Sequence, residues 1–332
     1  MNPLTQGLLT IIIGVGGCIG YFYFSNIILD RFIFPASGPN AGRNINRANQ
    51  VRPWLFLFPA IFALSLYLVY PVFATLYMSL TDRTQDYAFV GLDNYRQMAS
   101  EPKFWEAMRN NMLWLVVVPA LSTAFGLLAA QLTDRIWWGN IAKSLIFMPM
   151  AISFVGASVI WKLVYDTRPE GQDQIGVLNA IWVWFGGDPQ TWLTLIPWNN
   201  FFLMIVLVWI QTGFAMVILS AALRGIPEET IEAAVIDGAN PFQIFFKIKV
   251  PQIMGTIVVV WTTITIVVLK VFDIVLAMTN GQWETQVLAN YMYDKFFRAF
   301  DWGVGSASAM IIMLLVTPIL VWNVYNARKE MR

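Results

Sequence analysis

Charged side chains are spaced along this 332-residue chain so that several long stretches hold none. Charge-free runs of about 18 residues or more, long enough to be considered for a membrane span, occupy 1–29, 53–81, 110–133, 144–161, 189–223, 250–269 and 302–327. Each contains a strongly apolar stretch, such as Leu8 to Leu29, Leu145 to Trp161 or Met310 to Trp322. A helix crossing hydrocarbon needs about 20 mostly apolar residues, and charge inside it is costly. The pattern therefore predicts an all-α, polytopic membrane protein with about seven transmembrane helices. Segments 32–42 and 174–187 also lack charge but are too short to cross.

The basic residues give these runs a direction. A signal peptide begins with a basic segment and has an apolar core of about 7–15 residues. Here residues 1–29 carry no Lys or Arg, and Arg31, Arg43, Arg47 and Arg52 come afterwards. An uncleaved span with its N-terminus outside is expected. Alternation from there puts 12 Lys and Arg in the 67 inner residues (30–53, 134–143, 224–251 and 328–332). The 104 outer residues (1–10, 81–110, 162–200 and 278–302) hold 8. Cations favour the cytoplasmic side, so N-terminus out and C-terminus in is predicted. Pro35, Gly38, Pro39 and Gly42 mark 30–53 as a flexible linker. The expected organisation is an N-terminal helix with cytoplasmic linker over 1–53, a six-helix domain over 54–327 and a tail over 328–332.

Composition narrows the chemistry. The chain is 58% hydrophobic and 12% charged, against about 45–50% and about 25% in soluble domains. A soluble enzyme, a disordered chain and a collagen-like scaffold are excluded. A net charge of +1 offers no bulk attraction to nucleic acid. Histidine is absent and Cys18 is the single cysteine, so Ser–His–Asp and Cys–His catalysis, disulfides and zinc knuckles are excluded. No metal-ligand set or catalytic residue is expected.

Three polar segments stand between the spans. Phe89 to Met98 has a turn at Gly91, after which Asp93 or Asn94 is expected to cap a short helix through Tyr95. Segment 162–200 carries Trp182, Trp184, Phe185, Trp192 and Trp198, with a surface helix expected from Ile175 to Phe185, ended by Gly186–Gly187. Segment 224–251 is the least membrane-like. Pro227 with Glu228 and Glu229 is a helix start, and Gly238 and Asn240–Pro241 interrupt that helix. A second amphipathic stretch follows from Phe242 to Val250, and Pro251 opens the next span. Two short helices joined by a bend form a projection that another protein, or the lipid surface, could hold.

Within this segment Glu232-Ala233-Ala234, Asp237-Gly238-Ala239, Phe245, Ile248 and Pro251 resemble the EAA loop of ABC-importer permease subunits, with Val250 where Leu is usual. Gly91-Leu92-Asp93-Asn94-Tyr95, Gly176-Val177-Leu178-Asn179 and Trp192-Leu193 are similar to the carbohydrate branch, the maltose-transporter F-type subunit. Phe272-Asp273 and Thr279-Asn280-Gly281 continue the likeness, but Gln282-Trp283 stand where the family has Gly-Pro. The resemblance covers about residues 50–332. The long N-terminal span is similar to that of subunits for α-glucosides.

The resemblance implies the type I ABC importer permease fold and a multi-pass place in the bacterial cytoplasmic membrane. It implies a second homologous permease, two copies of an ABC ATPase, an extracytoplasmic sugar-binding protein and a sugar substrate as partners. Glu232, Ala233, Ala234, Asp237, Gly238, Ala239 and Pro251 would couple to the ATPase. No Gly-Lys pair occurs, so the chain lacks a phosphate-binding P-loop, and ATP and Mg would lie on the partner.

Sugars are polyols with apolar C–H faces, so a site should pair aromatic rings with amides or hydroxyls. Candidates by type and depth are Trp209, Gln211 and Thr212 in the fifth run and Trp261, Thr262, Thr263 and Thr265 in the sixth. Asn323 lies toward the inner end of the last. Such residues also serve helix packing. Lys270 and Asp273, three apart, are expected to form a structural ion pair. Two other classes compete. An ion-coupled secondary transporter would use Lys270–Asp273 as its coupling site. A membrane-embedded glycosyltransferase would draw on Asp166, Glu170 and Asp173.

Overall fold

A computed structural model describes residues 2–82, 87–134 and 136–330; the side chains of Leu4, Asn323, Val324 and 326–330 lie outside the described set. Two bodies are distinguished, one up to Ala74 and one from Thr75 onward. In the first, α1 (Pro3–Ile28) ends in a single π-helical turn, Leu29–Ile33. Then α2 runs as one 39-residue helix from Ala41, through a π stretch at Ser65–Val69, to Ser79.

The expected flexible linker 30–53 is therefore mostly helix, with only 34–40 outside regular structure. The Pro and Gly that signalled flexibility cluster at 35–42, whereas 43–52 contains neither and carries α2 inward of its span. Side chains hold the turn: Arg52 donates to both carboxylate oxygens of Asp30 at 2.7 and 2.9 Å, and Asn44 Nδ2 donates to the Pro35 carbonyl at 3.0 Å. Tyr21 donates to the Leu55 carbonyl at 2.9 Å, and the Phe22 and Phe56 rings stack at 5.2 Å.

The second body continues from the end of α2 into a short antiparallel ladder, β1 (Thr81–Asp82) with β2 (Ala88–Phe89). The helix α3 (Asp93–Ser100) follows. Its N-cap is Leu92, with no side-chain cap, in place of the expected Asp93 or Asn94. Asn94 is instead buried, with Nδ2 donating to the carbonyls of Ser79 and Thr81, which ties the C-terminal end of α2 to α3.

The longest helix of this body, α4 (Pro102–Thr133, 32 residues), packs most closely on α8 (Asn199–Arg224). α8 is apolar around its whole circumference and therefore belongs at the centre. Leu203, Leu207, Met216 and Leu219 form a core with Trp114 and Val118 of α4 and with Val260, Ile264 and Val268 of α11 (Met254–Leu269). Small residues permit this approach. A Cβ on Gly126 would clash with Ala215, and one on Gly213 with the Ile146 carbonyl.

The run 144–161 does not cross as one helix. α5 (Gly139–Phe147) tightens into a 3₁₀ turn at Met148–Ala151, and α6 (Phe154–Val164) leaves at 107°. Pro149 removes a backbone donor at the break, and Ser153 Oγ accepts from Gly156 N at 3.1 Å to restart the helix. A second bend of 71° separates α10 (Pro241–Gln252) from α11, so Pro251 precedes the bend and the next span opens at Met254. Among the described residues five helices are long and apolar enough to cross, and up to seven if each bent pair is one span. After the short α13 (Leu288–Tyr293), the last is α14 (Trp302–Glu330).

Candidate functional site

The polar projection between α8 and α11 forms as its residues dictate. Pro227 precedes α9 (Glu228–Ile236), whose first turn places Glu228 and Glu229 at the positive end of the helix dipole. α9 ends in a Schellman arrangement: Ala239 N donates to the Ala234 carbonyl at 2.9 Å and Gly238 N to the Val235 carbonyl at 3.0 Å. This geometry needs a left-handed residue, and Gly238 supplies φ +80°. Asn240 and Gln243 then close a capping box, each side chain accepting from the other's backbone N–H at 2.9 Å, with Pro241 at the first helical position.

Of the EAA residues, Glu232, Ala233, Asp237, Gly238 and Pro251 are exposed. Ala234 turns inward and is 8% exposed, so it packs beneath the projection and does not form part of its outer face. That face includes Val235, Ile236 (85% exposed), Phe242 (77%) and Phe246 beside four carboxylates.

The opposite end of the bundle is fixed by asparagines. Nδ2 of Asn110 donates to the Glu284 and Gln286 carbonyls at 2.8 Å, Asn199 to the Trp283 carbonyl at 2.6 Å and Asn200 to the Glu284 carbonyl at 3.0 Å. Asn111 Oδ1 accepts from Leu288 N at 2.8 Å. They hold a turn in which Asn280, Gly281, Trp283 and Glu284 all have positive φ. At the position where the family has the Pro of Gly-Pro, Trp283 takes φ +53°, a conformation closed to proline, so this chain follows a strained path that surrounding bonds must over-determine.

Between these ends, the break after α5 opens a cavity of about 550 Å³ lined by residues that include Ser153, Phe154, Gln211, Phe214, Thr263, Val267 and Asp273. Gln211 is 7% exposed, and among the described residues its amide has no hydrogen-bond partner. Asp273 opens α12 (Asp273–Met278) on the cavity wall. A second hollow of about 460 Å³ is lined in part by Phe125, Trp161, Trp209 and Thr212. There the Trp161 and Trp209 rings meet edge to face at 5.8 Å.

The structure thus separates the sugar-site candidates. Gln211 and Thr263 share one cavity, Trp209 and Thr212 another, and Trp261, Thr262 and Thr265 line neither. The hydroxyls of Thr212, Thr262, Thr263 and Thr265 each donate to a carbonyl in the preceding helical turn. Asn323 has its side chain outside the described residues.

The expected Lys270–Asp273 ion pair is not formed. α11 ends at Leu269, and Phe272 breaks the helical path with φ −143°, so the two residues do not share a helix face. Lys270 lines a separate hollow with Phe272, Met292 and Tyr293. Asp273 and Ser153 were missed as cavity residues, and Pro149 followed by a capping Ser was the signal that could have found Ser153. Asp166, Glu170 and Asp173 belong to no candidate metal group among the described residues.

The broken helices, the bent projection and the open cavity beside them suit an ABC-importer permease, and comparison with known proteins places the chain accordingly. Residues 122–331 match the family described as "Binding-protein-dependent transport system inner membrane component", and the chain belongs to it. It is the permease subunit of an ABC importer. The chain is 64% identical over 334 residues to the alpha-glucoside transport system permease protein AglF of Rhizobium meliloti, covering 99% of each. It is 48% identical to the osmoprotective compounds uptake permease protein GgtC of Synechocystis, over 84% of this chain and 100% of that one. With the lactose transport system permease protein LacF of Rhizobium radiobacter it shares 30% identity over 86% of this chain and 97% of that one. The fold matches a chain in the crystal structure of a bacterial ABC transporter that imports the acidic polysaccharide alginate. That match has a TM-score of 0.72 at 20% identity, covering 86% of this chain and 98% of the other.

Proposed function

We propose that this permease imports an α-glucoside, across the bacterial cytoplasmic membrane with its N-terminus outside. One observation carries the reading: the unpartnered amide of Gln211 faces a cavity whose size lies within the range of small-molecule sites, about 300–1,000 Å³. Gln211 can both donate to and accept from a sugar hydroxyl. Thr263, whose proton is committed to the Val259 carbonyl, offers an acceptor, and Phe154 and Phe214 provide apolar wall. The alpha-glucoside name of the AglF relative supports that substrate class.

In this reading a second, homologous permease completes the pathway, and an external sugar-binding protein delivers substrate to the asparagine-braced end. Two copies of an ATPase, which hold ATP and Mg, receive the projection. Glu232, Asp237 and the exposed Ile236 and Phe242 present acidic and apolar contacts to it, while Ala233, Gly238, Ala239 and Pro251 shape its backbone. ATP-driven closure of the ATPases would turn the projection as a rigid lever and open the cavity outward. The test is uptake of labelled sucrose, maltose and trehalose by proteoliposomes holding the assembled transporter. ATP-dependent uptake of at least one is expected. Transport that ignores ATP, or a complex that takes none of the three, overturns the reading.

A further inference from the structure

The lever must pass its motion to the spans, and its polar connections are confined to its two roots. Among the described residues, no side-chain hydrogen bond or ion pair links 227–248 to the rest of the molecule; the Asn240–Gln243 box is internal. At the entering root, Arg224, the last residue of α8, donates through Nε to Asp134 Oδ1 at 2.7 Å. At the leaving root, Lys249 Nζ donates to Gln131 Oε1 at 3.1 Å. Both acceptors belong to one place, the terminal turn and cap of α4. Lys143 of α5 reinforces it, with Nζ 3.3 Å from Asp134 Oδ1 and 2.6 Å from Ser220 Oγ of α8.

These are half-buried contacts: Lys249 is 9% exposed, and the side chains of Lys143 and Asp134 are 15% and 26% exposed. From this end α4 continues to the other, where Glu106, Asn110 and Asn111 bind the backbone of 284–288. One helix thus grips both roots of the lever and, at its far end, the outer turn.

We propose that Asp134 and Gln131 are positioning residues that clamp the roots of the coupling loop to α4, so that movement of the loop carries α4 and the outer turn with it. The proposal rests on the reading that this loop meets the ATPase. A carboxylate accepting from two cations, and an amide accepting from a third, hold the roots without a covalent link. Loss of the clamp would leave docking intact but let the loop move without the helix.

The test uses the assembled transporter in proteoliposomes, reading sugar moved per ATP hydrolysed. For Asp134→Asn combined with Gln131→Met, that ratio is expected to fall at least about fivefold, the lower end of measured couplings between sites, with ATPase activity retained. Asp134→Glu with native Gln131 should keep the ratio. Arg224 is largely exposed, so Arg224→Gln can be read without risk to the core, and it should lower the ratio while Arg224→Lys preserves it. A wild-type ratio in the double variant or in Arg224→Gln overturns the clamp. Glu232→Lys separates this from failure of the underlying reading. If it leaves uptake unchanged, the loop does not couple to the ATPase, whereas if it abolishes uptake while the clamp variants behave as wild type, the clamp alone is wrong.

Discussion

Gln211 shows how a single side chain can report on a site. Its amide opens onto the cavity and is not sealed in the core, so a sugar hydroxyl there would take the place of water as its hydrogen-bond partner. Gln211→Leu should raise the KM for sugar about tenfold, the effect of one hydrogen bond of about 1.4 kcal/mol. Uptake measured against sugar concentration checks it. Gly238 is equally specific in its demand, because proline locks φ near −65° and the turn needs +80°. Gly238→Pro should insert and assemble but lose sugar uptake, and normal uptake by this variant would sink the lever.

Asp134 carries a pH signature. Partial burial works against its charge, but hydrogen bonds from Arg224 and Lys143 outweigh that and hold its carboxyl below the usual 3.8. A depressed folded pKa means the contribution to stability is present above 3.8 and is lost as pH falls below it. The difference in melting temperature between wild type and Asp134→Asn should therefore be constant from neutral pH to about 5 and shrink below about 4. A difference that grows on acidification would contradict the assignment.

At the scale of elements, long runs with few polar interruptions were legible and breaks within runs were not. α9 and the surface helix α7 (Val177–Trp184) lie where Pro227 and Gly186–Gly187 place their ends. The break between α5 and α6 was hidden because Pro149 and Ser153 are both tolerated inside spans, and only their conjunction with packing on α8 turns the chain. The same limit applied to the site: depth could be read from a charge-free run, but the face on which a residue points could not. Trp261 and Thr263, two apart, therefore looked equivalent and are not. Lys270 and Asp273 failed as a pair for a related reason, since i,i+3 reasoning assumes an unbroken helix.

Loop 162–200 shows the converse, where a motif proves to be architecture. Asn179 is fully buried, with Nδ2 donating to the Asp166 carbonyl, Thr167 Oγ1 and the Gln190 carbonyl, and Oδ1 accepting from Gln190 N. Asn179→Ala should destabilise this loop by about 3 kcal/mol, a few unsatisfied groups at about 1 kcal/mol or more each. Thermal unfolding followed through the fluorescence of the nearby Trp182 and Trp192 would detect it.

For the whole molecule, the side chains themselves record two opposed ends. Arg224–Asp134 joins segments that alternation placed inside, Lys249–Gln131 joins one of them to the end of the run 110–133, and Asn110, Asn199 and Asn200 join segments that it placed outside. Charge-free length sufficed for the number of apolar runs, and the grouping of the loops into two ends follows from alternation whichever end faces the cytoplasm. The apolar circumference of 199–224 pointed to the centre, but the close approach of α4 and α5 to α8 depends on Gly126 and Gly213.

The right-angle break in the 139–164 segment also has a consequence for how the protein is made. At about 1.5 Å per residue, Gly139–Ala151 and Phe154–Val164 extend about 20 and 16 Å, and neither reaches across about 30 Å of hydrocarbon. On emerging from the ribosome, this region has no stable resting place in lipid by itself, because its docking surfaces, α8 for Gly139–Ala151 and α12 for Phe154–Val164, are still untranslated. It must wait beside the insertion machinery until Asn199–Arg224 and then Asp273–Met278 arrive. A nascent chain stopped at residue 190 should therefore leave 139–164 extractable by alkali or open to protease, and one extended beyond 278 should protect it.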